Sequence, residues 1–342
     1  MSGTTFSQAV DRAVAEAMAA DERIVILGED VPMLRPGLLA RFGPGRVLGA
    51  PISEAAFTAA GAGAAMAGLR PIVEIMIVDF LACAMDAVLN QIAKLEAFSG
   101  GRWKCPIVIR AACGGGYGDG GQHEQSLWGM LGGIPGIAVV VPSNPADAYG
   151  LMRSALASES PVIFLEHKLL SELWLEFLGR GGRTTVRYDI PASGAETELP
   201  PDAPAVPIGS AKVVRRGEDV SVVSLAVGVH RSLEAAAELD REKIDCEVID
   251  LRTVRPLDAG TIVESVAKTG RLLVVDEDYR ACGLSGEIGA IALEAGLAPR
   301  FARVCLEDTL PYARRLEDEA LPNVRRIIAA ARTLMAWPHS RP

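Results

Sequence analysis

The chain has 342 residues, 49% of them apolar, enough to bury two cores of ordinary size rather than one. Acidic residues outnumber basic ones by 43 to 34, a net charge of -9 with no block of like charge, which argues against nucleic acid and anionic membrane as partners. Six scattered cysteines without a CxxC pair, no secretory leader and no apolar run approaching the roughly 18 residues of a membrane span make the cytoplasm the expected compartment.

The opening segment, 1–24, reads as an amphipathic helix carrying acids, and RIVILGED at 23–30 is the first strand. A helix rich in alanine and glycine follows over 54–68, then the strand RPIVEIMI and a helix over 81–98. PIVIRAA at 106–112 is another strand, succeeded by a glycine-dense loop, GGGYGDGGQHEQS, and the strand IAVVVPS. A helix over 145–158 and the strand PVIFLEH complete this half. Short apolar runs alternating with helical periods predict an α/β fold, a doubly wound domain with a largely parallel sheet over 1–168. Between 169 and 207 proline and glycine interrupt every period, so a linker or insertion with one short helix at its start is expected. Alternation resumes with DVSVVSLAV, CEVIDLRTV, RLLVVDED and the helices between and after them, the last near NVRRIIAAART, giving a second, smaller doubly wound domain over 208–342.

Several residues in this frame could carry chemistry. Glu54 opens the small-residue helix, where an acid ordinarily only complements the helix dipole. The alanines and glycines behind it, however, allow another backbone or a flat ligand to come close. His123 follows the glycine run, and histidine exchanges protons most readily near neutral pH, although a surface-loop histidine fits the pattern equally well. Glu29 and Asp30 end the first strand, with Glu74 and Asp79 around the next, and carboxyl ends of parallel strands are where such sheets bind ligands. Of these Glu29 is the strongest. Gly118, Asp119 and Gly120, with Asn144 downstream, imitate a magnesium-diphosphate motif, but they lie well beyond the end of the preceding strand and read as a decoy. GLSGEIG at 283–289 opens a helix without the spacing of a dinucleotide fingerprint, and no Walker loop, GxSxG elbow or cysteine-histidine metal set is present.

Six motifs in order, ILGEDV, PISE with GAGAAMAGLRPIVE, DAVLNQIAK, QHEQS, PGIAVVVPSNPADAYGL and VIDLRTVRPLD, resemble the beta subunits of pyruvate, branched-chain and acetoin dehydrogenases over residues 4–335. The resemblance implies a transketolase-like pyrimidine-binding domain, then a transketolase C-terminal domain. It implies thiamine diphosphate as cofactor, shared with an alpha subunit that holds the Mg2+ and diphosphate in an alpha2beta2 heterotetramer. A lipoyl acyltransferase takes the acyl group from a small 2-oxo acid. Carried over by motif, Glu54 is the glutamate that hydrogen-bonds N1′ of the aminopyrimidine, Ile52, Met76 and Phe80 line that ring, and His123 faces substrate and the lipoyl group. Ile107, Ala155, Ser158 and Ser160 fall where the family binds potassium through carbonyls.

Three departures stand out. Glu124 replaces the serine of the usual HSQ and would raise the histidine's pKa if the two approach. Serines occupy the usual acid and amide positions of the potassium loop, and the 169–207 segment is longer than the family norm. A split transketolase-type two-carbon transferase and a non-catalytic module of the same fold are the alternatives. The first would want more histidines and arginines near the pocket, and the second would have dispensed with Glu54. A nicotinamide dehydrogenase is disfavoured by the missing fingerprint.

Overall fold

The computed structural model describes residues 3–116, 118–180 and 194–336. Its first sheet has seven strands in the spatial order Thr253–Arg255, Ala138–Val140, Val162–His167, Val108–Cys113, Arg70–Ile77, Ile24–Glu29, Val47–Ala50. All neighbours are parallel except Thr253–Arg255, which joins the edge antiparallel. The second sheet runs Arg300–Leu306, Arg271–Tyr279, Val220–Ser224, Cys246–Asp250, Lys212–Arg215, with only the last strand antiparallel. Helices connect the parallel strands, as they must when a strand returns in the same direction. The central strands are buried along their length, which is why they read as continuous apolar runs.

The first helix, Phe6–Ala20, buries Phe6, Val10, Ala13, Val14 and Met18, one face at helical spacing, and Gln8 Oε1 accepts from the Thr5 backbone N–H at 3.2 Å to close its start. Thr253–Arg255 belongs to the second half of the sequence yet pairs with Val139 and Val140 of the first sheet. A single apolar core accordingly includes Ile109 and Val139 of the first sheet with Val223, Leu251 and Ile288 of the second unit.

The helix expected over 81–98 is divided. Val78–Ala84 forms a 3-10 turn, Asp86–Ile92 is π-helical, and only Leu95–Phe98 is a short α-helix. Such a widened turn redirects side chains and is common beside functional sites. Part of the segment expected as a linker is a strap on the first unit. Glu172–Arg180 is helical, Glu196–Thr197 pairs with Thr4–Thr5, and Arg12 donates to the carbonyls of Pro200 and Pro201 at 3.2 and 2.7 Å. The middle of that expectation, 181–193, lies outside the described residues.

Candidate active site

From Ile24–Glu29 the chain crosses to Val47–Ala50 on one side and returns as Arg70–Ile77 on the other, so connections diverge at the carboxyl ends of two adjacent strands. That switch point is the natural crevice of a doubly wound sheet. Glu29 ends the first of these strands, and Glu54 begins the helix Glu54–Met66 beside it. The helix settles close on the sheet because Gly61 has no side chain, a Cβ there falling 2.4 Å from Val73 Cγ2. Burial, then the charges of Asp30 and Glu54, hold the Glu29 carboxyl above its ordinary pKa, which places Glu29 and Glu54 within electrostatic reach of each other. Around them Ile52 is 77% exposed, while Met76 and Phe80 are half-buried. An aliphatic side chain left facing solvent beside two carboxylates suits the edge and face of a flat, polar-edged ring.

His123 lies against Phe80. Its imidazole makes an edge contact with the Phe80 ring, centroids 5.7 Å apart at 80°. Gln125, two residues on, donates to Asp79 at 2.8 Å and accepts from the Tyr279 hydroxyl at 2.9 Å. Beneath the loop the buried Lys168 amine donates to the His123 carbonyl, its pKa lowered to about 8 chiefly by burial. Gly114 can follow the sheet only in a left-handed conformation, φ +89°, and a Cβ there would lie 2.1 Å from His167 Nε2. His167 Nδ1 accepts from the Leu169 N–H at 3.2 Å, so its Nε2 donates to Glu277 at 2.8 Å. Glu277 also receives the Gly115 N–H at 2.8 Å and Arg231 at 2.9 Å, tying the root of the loop to the second sheet.

Glu124 Oε1 accepts the Asp119 N–H of its own loop at 2.7 Å, and burial, then the nearby Glu317, push its pKa up to about 9. Glu317, on the helix Arg314–Ala320, accepts the Gly116 N–H at 2.8 Å. Glu74, a weaker sequence candidate, is structural. It sits 2.6 Å from Arg35 in a buried network that continues through Arg110 to Glu166. Asn144 is the N-cap of Pro145–Ala157, accepting the Asp147 N–H at 3.0 Å, which gives it a role unrelated to the GDG-like loop. The GLSGEIG helix is capped from inside, Asp276 accepting the Ser285 N–H at 3.0 Å.

The four carbonyls of the potassium expectation are gathered around one loop, and each accepts a protein donor. Ile107 O receives Val162 N–H, Ala155 O receives Ser158 N–H, Ser158 O receives Arg70 at 2.6 Å and Ser160 O receives the Ser158 hydroxyl at 2.8 Å. Arg70, paired with Glu159 at 2.6 Å, gives this loop a fixed cation of its own. Among the described residues no group of three histidine, cysteine or carboxylate side chains is arranged to hold a metal, and no helix is long and apolar enough to cross a membrane.

Lys168, Gln125, Glu277 and Glu317 were not singled out in the sequence. Lys168 alone carried a signal, a cation directly after the strand Val162–His167, which opens as an apolar run.

The transketolase pyrimidine-binding domain model matches residues 2–172, and the transketolase C-terminal domain model matches 209–327. The chain is 39% identical to the beta subunit of acetoin:2,6-dichlorophenolindophenol oxidoreductase of Cupriavidus necator, over 96% of each. It is 36% identical to the 2-oxoisovalerate dehydrogenase subunit beta of Bacillus subtilis, covering 98% of this chain and 99% of that one. With the pyruvate dehydrogenase E1 component subunit beta of Rhizobium meliloti the identity is 37%, over 98% of this chain and 70% of the relative. Among solved structures, a split gene transketolase described as an inactive beta4 tetramer aligns with a TM-score of 0.77 at 22% identity, over 97% of this chain and 98% of that one, a likeness of fold. On the matched domains and the full-length identities, the chain belongs to the transketolase-like family of 2-oxo acid dehydrogenase beta subunits.

Proposed function

We propose that this chain is the half of a thiamine-diphosphate-dependent enzyme that holds the aminopyrimidine end of the cofactor, in the oxidative decarboxylation of a small 2-oxo acid with transfer of the acyl group to a lipoyl acyltransferase. The observation that carries the reading is the shared rim. Glu29, Glu54 and the apolar Ile52, Met76 and Phe80 border one switch point, and Phe80 brings His123 to it. In this reading Glu54 binds the ring nitrogen N1′ and holds a proton there, Glu29 stands as a second acid within its electrostatic reach, and the apolar side chains orient the ring and shed water. When bound, the cofactor would supply a carbon nucleophile that adds to the 2-oxo group and a cationic ring that takes up the electron pair released with CO2. In the same reading His123, whose ring meets that of Phe80, moves a proton at the substrate and at the arriving lipoyl sulfur.

Mg2+ and the diphosphate fall to an alpha-type partner in an alpha2beta2 assembly, supported by relatives that are themselves named as beta subunits. Six unpaired cysteines support the cytoplasm as the compartment. The oxo-acid reading is preferred to a two-carbon transfer between sugars because the other described histidines are engaged elsewhere. His167 is bonded to Glu277, and His230 Nε2 lies 2.6 Å from the Ser143 carbonyl.

Glu54→Gln, assembled with the alpha partner, tests the assignment. An amide cannot hold the proton, so decarboxylation is expected to fall about 10²-fold or more while the assembly persists on a sizing column. Activity within a few-fold of the parent would remove Glu54 from the chemistry.

A further inference from the structure

The strand Arg271–Tyr279 ends in four consecutive residues that all hold the segment carrying His123. Asp276 accepts the Trp128 indole N–H at 2.8 Å, Glu277 accepts the Gly115 N–H at 2.8 Å, Asp278 accepts the Gly129 N–H at 2.8 Å, and the Tyr279 hydroxyl donates to Gln125 Oε1 at 2.9 Å. Gly115 lies at the entry of the histidine loop, while Gln125, Trp128 and Gly129 lie at its exit, so one strand end of the second sheet fixes both feet of a loop that leaves the first sheet. The first three bonds stop at a backbone amide or a buried indole. The fourth continues, because the other end of the Gln125 amide meets Asp79 at 2.8 Å.

The direction of this chain of bonds follows from the groups in it. A carboxylate accepts and cannot donate, so the Gln125 amide must turn its Nε2–H to Asp79 and its Oε1 away. That oxygen then requires a donor, and the Tyr279 hydroxyl supplies one. The Gln125 main chain is held as well, its carbonyl accepting the Gly114 N–H at 2.9 Å, so the side chain acts as a strut anchored at its root and at both ends of its amide. Asp79 is followed by Phe80 in the 3-10 turn Val78–Ala84, and it is the Phe80 ring that meets the His123 imidazole edge-on, 5.7 Å between centroids. We propose that Tyr279 is a positioning residue supplied by the C-terminal unit: its hydroxyl orients the Gln125 amide, which holds Asp79 and so sets the Phe80 ring against His123. The service to catalysis rests on the roles proposed above for Phe80 and His123.

Removing the hydroxyl leaves Gln125 Oε1 without that donor and frees the amide to turn, and an amide turned over would present oxygen to the Asp79 carboxylate. The hold on the Phe80 turn is thereby weakened although no side chain of the ring contact has changed. Gln125→Leu is more severe, since it also removes a hydrogen bond to a charged group.

Steady-state kinetics of the enzyme assembled with its alpha partner test the proposal. Tyr279→Phe keeps the aromatic packing and should melt close to the parent, while kcat for lipoyl acylation falls about fivefold, the effect of one neutral hydrogen bond, and KM for the oxo acid stays nearly unchanged. Gln125→Leu should lose about tenfold or more. Adding Tyr279→Phe to Gln125→Leu should cost nothing further, because the hydroxyl acts only through that amide. A lowered melting temperature with parental kinetics, or a further loss of about fivefold in the double variant, would overturn the role. A second readout requires no cofactor: in the NMR spectrum of the full chain the Gln125 side-chain amide protons, identified by their loss in Gln125→Leu, should shift in Tyr279→Phe, and unmoved protons would refute the strut itself. Glu54→Gln measured in parallel separates the two claims. If it keeps its activity the reading of the site fails, whereas an inactive Glu54→Gln beside a Tyr279→Phe equal to the parent refutes the positioning role alone.

Discussion

Of the two proposed site residues, Glu54 is the first residue of a helix and His123 lies on a loop with no regular backbone. Glu54 was legible because its helix has too little side chain for an ordinary surface element, and His123 because glycines precede it. The partners that hold the loop were not legible. Glu317 sits in RRLEDEA, which reads as a solvated acidic stretch, and only the fold buries it. The two candidates should also separate kinetically. If His123 serves acyl transfer, His123→Ala is expected to reduce lipoyl acylation by about 10²-fold or more while decarboxylation measured with an artificial electron acceptor is reduced far less. Equal losses in both assays would contradict that role.

At the scale of elements, the central parallel strands were read nearly to their ends because burial on both faces makes them continuous apolar runs. Val47–Ala50, Lys212–Arg215 and Arg300–Leu306 escaped notice as edge strands that are only partly buried, and the π-helical turn at Asp86–Ile92 has no periodic signature. The small residues of the helix Glu54–Met66 were expected to admit another backbone or a flat ligand, and its two faces differ in a testable way. Gly61 is buried against Val73, whereas Gly63 is exposed and a Cβ there meets nothing within 4 Å. Ala55, Ala56, Ala59 and Ala60 share that outward exposure. Gly61→Ala should therefore lower the melting temperature of the chain itself, at a cost of about 1–3 kcal/mol. Gly63→Leu should leave that melting temperature nearly unchanged and block assembly with the alpha partner, as sedimentation of the mixture would show. An undiminished heterotetramer from Gly63→Leu would place the partner elsewhere.

For the whole molecule, two α/β units share one apolar core and exchange a strand, so the C-terminal unit is built into the first sheet as well as packed on it. That exchange was hidden in VIDLRTVRPLD, which reads as a single strand and its continuation but divides between Cys246–Asp250 of one sheet and Thr253–Arg255 of the other. In the proposed reading this united chain provides the aminopyrimidine half of a site whose metal and diphosphate half lies on another subunit. Calorimetric titration with thiamine diphosphate and Mg2+ addresses it most directly, performed on the chain alone and on the chain mixed with its alpha partner. The chain alone should bind weakly and with little dependence on Mg2+, and the mixture should bind tightly. Tight, Mg2+-dependent binding by the chain alone would contradict the claim and return the Gly118, Asp119 and Gly120 loop to consideration as a metal site.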